Sequence, residues 1–143
     1  MSARTRAMLL ALLLAGCATD SSREVLSGAD NALKMRTAQT RAFETSDRNA
    51  VLRGVVATLQ DLGFMVNAAD AALGTVTARK FIVESGVPYD LRITVSVRPR
   101  DARQVLVRAN AEFNSKPVED PHAYQRFFSA LGRTLFLAEK EVE

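Results

Sequence analysis

The residue types that most often carry out chemistry are scarce in this sequence. Its 143 residues include one His, His122, and one Cys, Cys17, so a metal cluster has no second His and an intramolecular disulfide has no second Cys. The serines show no nucleophile-elbow pattern, and the glycines show no phosphate-binding spacing. The adjacent acids Glu119 and Asp120 are explained by helix capping. We therefore predict no catalytic residue, no metal site and no cofactor, and we expect that the protein is not an enzyme.

The single Cys ends a segment that has the layout of an export signal. Two Arg residues precede an apolar run over residues 7–15, which is much shorter than the roughly 20 residues of a membrane span. The sequence Leu-Ala-Gly-Cys at residues 14–17 resembles the lipobox of bacterial lipoproteins. That resemblance implies a signal peptide over residues 1–16 and fatty-acyl chains such as palmitate on Cys17. The alternatives are a signal peptide cleaved elsewhere and a buried Cys in an N-terminal helix.

The residue after Cys17 bears on which membrane would hold the protein. Lipoproteins retained in the inner membrane of enteric bacteria typically carry Asp at that position, whereas this chain has Ala18. Each buried methylene contributes about 0.8 kcal/mol, and stable anchoring takes more than one acyl chain. We therefore expect a protein anchored to the outer membrane through lipid on Cys17 and facing the periplasm.

Charge argues against a nucleic-acid partner. The full chain has a net charge of +3, but removal of residues 1–16 takes two of its 19 Lys and Arg residues. That leaves 17 basic residues against 16 acidic ones, and they are scattered rather than gathered with aromatic residues into a basic patch. A role in binding DNA or RNA is therefore not expected.

The mature chain would divide into a linker and one domain. Residues 17–32 are mostly small and polar, which is typical of a flexible tether. Residues 33–143 are enough for a single domain and too few for two.

The segment over residues 33–44 has poor helical periodicity and is predicted to be extended, as an edge strand. Arg36, Gln39 and Arg41 are the speculative partner-binding residues on it, for a protein partner or an anionic envelope component. The alternative is a solvated edge strand whose charges protect it from aggregation.

Hydrophobic periodicity predicts the remaining elements. A helix is predicted from about Asp47 to Leu62, with its start at Thr45-Ser46-Asp47, whose hydroxyl or carboxylate oxygens can cap it, and its end at Gly63. Alternating patterns predict four strands, over residues 64–69, 75–83, 91–98 and 104–113, with Lys80 marking a bulge or register change in the second. A second helix begins after the cap Asp120. It carries an aromatic and aliphatic stripe that is expected to be core: Tyr124, Phe127, Phe128, Leu131, Leu135, Phe136 and Ala138.

These elements predict an α+β fold. The simplest way to bury them is a two-layer sandwich, in which two helices pack on one face of a four-stranded antiparallel sheet, or of a five-stranded one with the edge strand. The order of elements loosely resembles the helix-grip domains of BamC, an outer-membrane assembly lipoprotein. The sequence also resembles a family of small, mostly uncharacterised proteobacterial outer-membrane lipoproteins, through residues 35–43, 59–64, 69–70, 73–74 and 124–128. Those resemblances imply location and fold, and they imply no activity.

Three functions remain. The first is a non-enzymatic accessory or scaffolding lipoprotein in an envelope protein complex, which would bind its partner through the edge segment or the exposed sheet face. The second is a binder of a small lipid or cell-wall ligand between helix and sheet. The third and least favoured is an envelope hydrolase that uses acids brought together by folding.

Overall fold

The structure is a computed structural model, and it describes residues 20–141. The predicted signal peptide over residues 1–16 and the lipidation of Cys17 lie outside the described residues. Packing divides the chain into two units that meet between Lys34 and Met35.

The first described element is helix α1, Asp20–Ala38. The irregular tether predicted up to residue 32 is therefore helical from residue 20 onwards. The extended segment predicted over residues 33–44 is wrong up to Ala38 and correct for strand β1, Thr40–Phe43. Residues 33–38 include the good helix formers Leu, Lys, Met, Arg and Ala, and a helix completes its hydrogen bonds locally. A strand at the same place would need a partner strand.

The sheet has six antiparallel strands in the order β1-β5-β4-β3-β2, with β6 beside β5. The remaining five strands are β2 (Met65–Asp70), β3 (Thr75–Glu84), β4 (Val87–Pro99), β5 (Val105–Phe113) and β6 (Lys116–Pro117). All four predicted strands are present, and β1 lies at one edge, as expected. The very short β6 was not predicted.

Helix α2, Arg48–Asp61, agrees with the prediction. The Asp47 side chain accepts a hydrogen bond from the Ala50 amide at 2.8 Å, which satisfies one of the free donors of the first turn. Gly63 has φ of +81°, the left-handed conformation that glycine adopts without strain. The local sequence is thus sufficient to define both ends of α2.

Helix α3, Pro121–Glu141, packs against α2. Gly54 in the middle of α2 allows this approach, because a Cβ there would come within 2.6 Å of Leu135 Cδ2. The Thr58 hydroxyl, which is 1% exposed, donates to the Thr134 hydroxyl at 3.0 Å across the helix pair. The two helices therefore meet closely, with their one buried polar contact satisfied.

The core lies between α2, α3 and one face of β3, β4 and β5. Cross-strand pairs such as Val76–Val95 and Val97–Val107 place the apolar residues of the three strands on that same face. The opposite face carries Thr, Ser, Asn, Arg and Glu side chains. The buried core residues are Val51, Leu52, Val55, Leu59, Val76, Ala78, Ile93, Val95, Val97, Val105, Val107, Ala109, Tyr124, Phe127, Phe128 and Leu131.

Two details of the prediction are wrong. Pairing of β3 with β4 is continuous from Thr75 to Glu84, so Lys80 marks no bulge, and the irregularity lies in β2 between Val66 and Ala68. Lys80 stays in register because its Nζ reaches the carbonyl oxygen of Leu62, at 2.8 Å, beyond the end of α2. Phe136, 57% exposed, and Ala138, also exposed, are not core, because the fully buried residues of α3 end at Leu131.

The chain is therefore an α+β protein with a six-stranded antiparallel sheet and three helices in its described residues. The predicted four or five strands and two helices differ from this in detail. The missing elements, α1 and β6, are a helix without a strong apolar stripe and a strand of two residues.

Candidate functional site

The three residues predicted to bind a partner do not share one exposed surface. Arg36 is exposed on α1. Gln39 Nε2 donates to the Tyr124 hydroxyl at 3.3 Å. The Arg41 guanidinium lies 5.0 Å from the centroid of the Phe128 ring, on the helix-covered side of β1. Gln39 and Arg41 therefore make internal contacts, and the structure leaves only Arg36 of the three fully exposed.

The Tyr124 hydroxyl joins the elements around the outer edge of β5. It accepts hydrogen bonds from Gln39 and from the Ala111 amide, at 3.2 Å, and it donates to the Val118 carbonyl at 2.9 Å. Pairing of β1 with β5 ends at Arg108, and β6 pairs with β5 near Phe113. The Tyr124 hydroxyl lies in the gap between these two partners of β5. These hydrogen bonds join Gln39 and β5 to α3, whereas the nearby Arg108 Nε is buried without a hydrogen-bond partner among the described residues.

The described residues show no clustered acids of the kind a metal-dependent hydrolase uses. In residues 20–141 no three His, Cys, Asp or Glu side chains are placed to hold a metal ion. His122 is exposed, with Nδ1 3.1 Å from Gln125 Oε1, and its backbone amide donates to Asp120 Oδ1 at 2.9 Å. Both observations match a residue at the start of a helix.

A different feature stands out, which we call the hairpin finger and define as residues 80–90 of β3 and β4. Pairing of β2 with β3 stops at Arg79, and pairing of β5 with β4 begins at Leu91. Between those limits β3 and β4 pair only with each other. The finger therefore projects from the sheet as a two-stranded ribbon.

The finger is apolar on both faces. Phe81 and Val83 are 59% and 70% exposed on the side continuous with the polar sheet face. Ile82 and Val87, 36% and 49% exposed, lie on the side continuous with the helix-covered face. Together with Phe113, at 41%, they form a concentration of exposed large apolar side chains among the described residues. Such a concentration marks an interaction site more often than scattered exposed residues do.

The apex of the finger is polar. Ser85 and Gly86 have φ of +52° and +79°, so both central residues of the turn have the positive φ of a type I′ hairpin. Glu84 precedes them and is exposed, and it forms no ion pair within residues 20–141. The finger thus presents apolar walls and a carboxylate at its end.

The base of the finger is held firmly. The backbone amide of Asp90 donates to Asn114 Oδ1 at 2.9 Å, and the Asn114 amide donates to the Asp90 carbonyl at 2.8 Å. On the helix-covered side the Tyr89 and Phe113 rings stack with centroids 5.2 Å apart. Ordering of the base lowers the entropy that the finger would lose on binding.

Charges at the base are mostly paired. Arg79 Nη2 lies 2.6 Å from Asp90 Oδ2, and Arg92 Nη1 lies 3.8 Å from Glu112 Oε2. The hydrogen bond from Arg79 to Asp90, and then the negative charge of that carboxylate, raise the pKa of Arg79 above its ordinary value. The base therefore presents no strong field of either sign.

Concave regions of the described residues include two that are lined by both a helix and the sheet. A groove of about 460 Å³ runs between α2 and β2, lined by Leu52, Val56 and Ala69 among others. A smaller space of about 260 Å³ lies between the start of α3 and the sheet, with Leu91, Ala111 and Phe127 in its walls and Lys80 and Arg126 also lining it.

Comparison with known proteins assigns no function to these features. The chain matches no protein-family model, and no curated protein is significantly similar to it in sequence. None of the helices in residues 20–141 combines the length and apolar composition that crossing a bilayer requires.

The sequence contains a pattern that indicates the finger. An interpretation in which every strand has a single buried face does not detect it. Phe81-Ile82-Val83 and Val87-Pro88-Tyr89 flank Ser85-Gly86, so apolar residues occur at consecutive positions on both sides of a turn. A strand with one buried face alternates, whereas this stretch does not. Consecutive apolar residues in a chain of otherwise alternating strands therefore indicated a ribbon that is apolar on both faces.

Proposed function

We propose that this protein is a non-enzymatic lipoprotein of the bacterial envelope that acts as an accessory or scaffolding component by inserting its hairpin finger into another protein. Lipid on Cys17, after removal of residues 1–16, anchors it to the outer membrane facing the periplasm, and α1 connects the anchor to the domain. We include in this proposal that the domain resembles the helix-grip domains of BamC and that its helices and sheet pack as two layers. The exposed apolar finger on a rigid base is the observation that carries it.

The chemistry of the finger favours a protein cleft over a bilayer. A finger with apolar residues on both faces is covered best by a site that surrounds it. A bilayer would surround it too, but insertion would carry the apical Glu84 first into the hydrocarbon, where a carboxylate is costly. The partner site therefore has apolar walls and a hydrogen-bond donor or a cation at its floor.

Site-directed crosslinking in the native cell tests the docking function. A photoreactive amino acid at Val83 should crosslink to one protein in stoichiometric yield. The matched control is the same substitution at Leu73, which is also 70% exposed but lies in the turn between β2 and β3. Equal crosslinking from both positions, or none from Val83, would contradict the proposal.

A paired substitution adds a second measurement. Val83→Asp should abolish co-purification of the crosslinked protein with the lipoprotein from detergent extracts, and Leu73→Asp should not. Thermal unfolding should show similar stability for both variants, because both side chains are exposed. If Val83→Asp retained the full complex, the finger would not be the docking element.

The anchor has its own test. Cells fed labelled palmitate should incorporate the label into this protein, and Cys17→Ser should abolish incorporation and release the protein from the outer membrane into the periplasm. Incorporation unchanged by Cys17→Ser would disprove the anchor and leave the docking function of the finger to be judged separately.

The alternative function is a binder of a small lipid or cell-wall ligand in the space between α3 and the sheet. Apolar walls with Lys80 and Arg126 alongside would suit an amphiphile with an acidic head group. The volume of about 260 Å³ is at or below the lower end of ligand pockets, so this space would hold only a small part of such a ligand. Native mass spectrometry of protein extracted from membranes decides, since a bound amphiphile of defined mass would support the alternative.

A further inference from the structure

The groove between α2 and β2 is open because the inner face of β2 carries too little side-chain volume to fill it. Val66 pairs with Ala78 and Ala69 pairs with Val76, so these two residues face the helices. Ala69 is exposed, and Leu52 and Val56 of α2 line the space opposite it. The helix layer therefore covers the centre of the sheet and leaves an apolar groove of about 460 Å³ at the β2 edge.

The β2 edge itself is open. In residues 20–141 β2 pairs only with β3, so one side of its backbone lacks a strand neighbour. The same holds for residues 80–84 of β3 in the hairpin finger, since β2 stops opposite Arg79. Edge strands of this kind add to one another readily, because each offers unpaired amide and carbonyl groups.

One cation of the groove, Arg53, is complementary to the carboxylate at the finger apex, and the Asp70 carboxylate that also lines the groove accepts a hydrogen bond from the Leu73 amide at 2.8 Å. Arg53, on the exposed side of α2, lines the groove and forms no ion pair within the described part of the chain. Glu84 at the finger apex also has none there. A finger entering the groove would bring the carboxylate towards the guanidinium while Phe81 or Val83 covered Ala69, Leu52 and Val56.

We propose that the partner site of the finger is the α2–β2 groove of a second copy of this chain. This inference rests on the docking function proposed above and names its partner. The contact is heterologous, because the finger and the groove are different surfaces of one molecule. Copies therefore join head to tail into rings or chains, and lipid anchoring would favour this by concentrating them on one surface.

Disulfide trapping between two tagged versions of the full-length protein tests the pairing. One version carries Val83→Cys and the other carries Ala69→Cys, and the two are co-expressed and oxidised in the membrane. The expected product is a reducible dimer that contains both tags. The control pair replaces Val83→Cys with Leu73→Cys and should give at least tenfold less mixed dimer.

A charge exchange provides a test that does not depend on introduced thiols. Self-association of the purified acylated protein in neutral detergent is measured by sedimentation. Arg53→Glu and Glu84→Arg should each weaken association about two- to fivefold, the range of an exposed ion pair. The double variant should recover the wild-type value, and a double variant weaker than either single one would overturn the pairing.

The outcomes separate this inference from the function on which it rests. If Val83 crosslinks to a different protein, and the Ala69 and Arg53 variants change nothing, the second-copy assignment is wrong and the docking function stands. If Val83→Asp leaves every complex intact, both are wrong. Mixed dimers together with recovery in the charge exchange would establish both.

Discussion

The two ends of the β3–β4 pair have the same regular strand pairing and opposite environments. At the end near Thr75 and Pro99 the apolar residues lie under α2 and α3, and Val76, Val95 and Val97 are at most 1% exposed. At the finger end the same two strands carry Phe81, Val83 and Val87 largely exposed. The difference lies in what covers the strands, since neither end departs from regular pairing.

The turns that adjoin these ends differ in the same way. Arg48 donates from Nε to the Val97 carbonyl at 3.2 Å and from Nη2 to the Ala72 carbonyl at 3.0 Å, and the Val97 amide donates to the Gly74 carbonyl at 2.8 Å. The Ser85-Gly86 turn differs at Gly86. Apart from its two chain neighbours, no described residue lies within 4 Å of the position that a Cβ would take there. The turn at Gly74 is therefore held by tertiary hydrogen bonds, and the Ser85-Gly86 turn is accessible.

The largest expected effect separates two phenylalanines. Phe128 is 1% exposed in the core, so Phe128→Ala should lower the free energy of unfolding by about 3–5 kcal/mol through lost burial and a cavity. Phe81→Ala in the finger should change it by less than about 0.5 kcal/mol. Urea unfolding of both variants measures the difference, and a loss at Phe81 comparable to that at Phe128 would show that the finger is part of the core.

Two glycines with positive φ form the next pair. Gly74 and Gly86 have φ of +72° and +79°, so an Ala at either position costs about 1–2 kcal/mol of backbone strain. At Gly74 a Cβ would also clash with the Val97 carbonyl oxygen and the Arg48 guanidinium, which raises the expected loss to about 3 kcal/mol or more. Thermal unfolding of the two variants measures the gap. Equal losses would mean that the turn at Gly74 rearranges freely.

Removal of one hydroxyl from the helix layer and one from the finger gives a smaller effect. Tyr124→Phe leaves the half-buried Ala111 amide and the Val118 carbonyl without this partner and should cost about 1 kcal/mol. Tyr89→Phe should cost close to nothing, because the Tyr89 hydroxyl forms no hydrogen bond within residues 20–141 and its ring stack with Phe113 remains. Amide hydrogen exchange at Ala111 should rise in the first variant and stay unchanged in the second.

The smallest effect concerns the finger apex. Ser85→Asn should raise the free energy of unfolding by a few tenths of a kcal/mol, since Asn-Gly is favoured over Ser-Gly where both residues have positive φ. Crosslinking from Val83 should remain at the wild-type level, because the apolar walls are unchanged. A gain in stability accompanied by lost crosslinking would indicate that binding requires the turn to open.

Local signals in the sequence were sufficient for most of the fold. Three of these signals are the helix start at Asp47, the helix end at Gly63 and the near-strict alternation in β4 and β5. Each depends on a few neighbouring residues, so it can be recognised without a tertiary structure. Arg36, Gln39 and Arg41 are predicted on one extended segment, whereas Arg36 lies in α1, because residue spacing cannot show that α1 continues to Ala38. Nor can it show that Tyr124 and Phe128 of α3 lie against β1.

The sequence by itself determined the limits of α2 and the approximate positions of β2 to β5, and it predicts an anchor at Cys17. Those properties depend on backbone propensity, capping and residue order, which act over short distances. Only the tertiary structure decided which apolar residues are covered. Phe81 and Phe128 have the same side chain, and whether it is buried depends on how far the helix layer and neighbouring strands extend. Exposure is a property of distant elements, and here it is exposure that identifies the site.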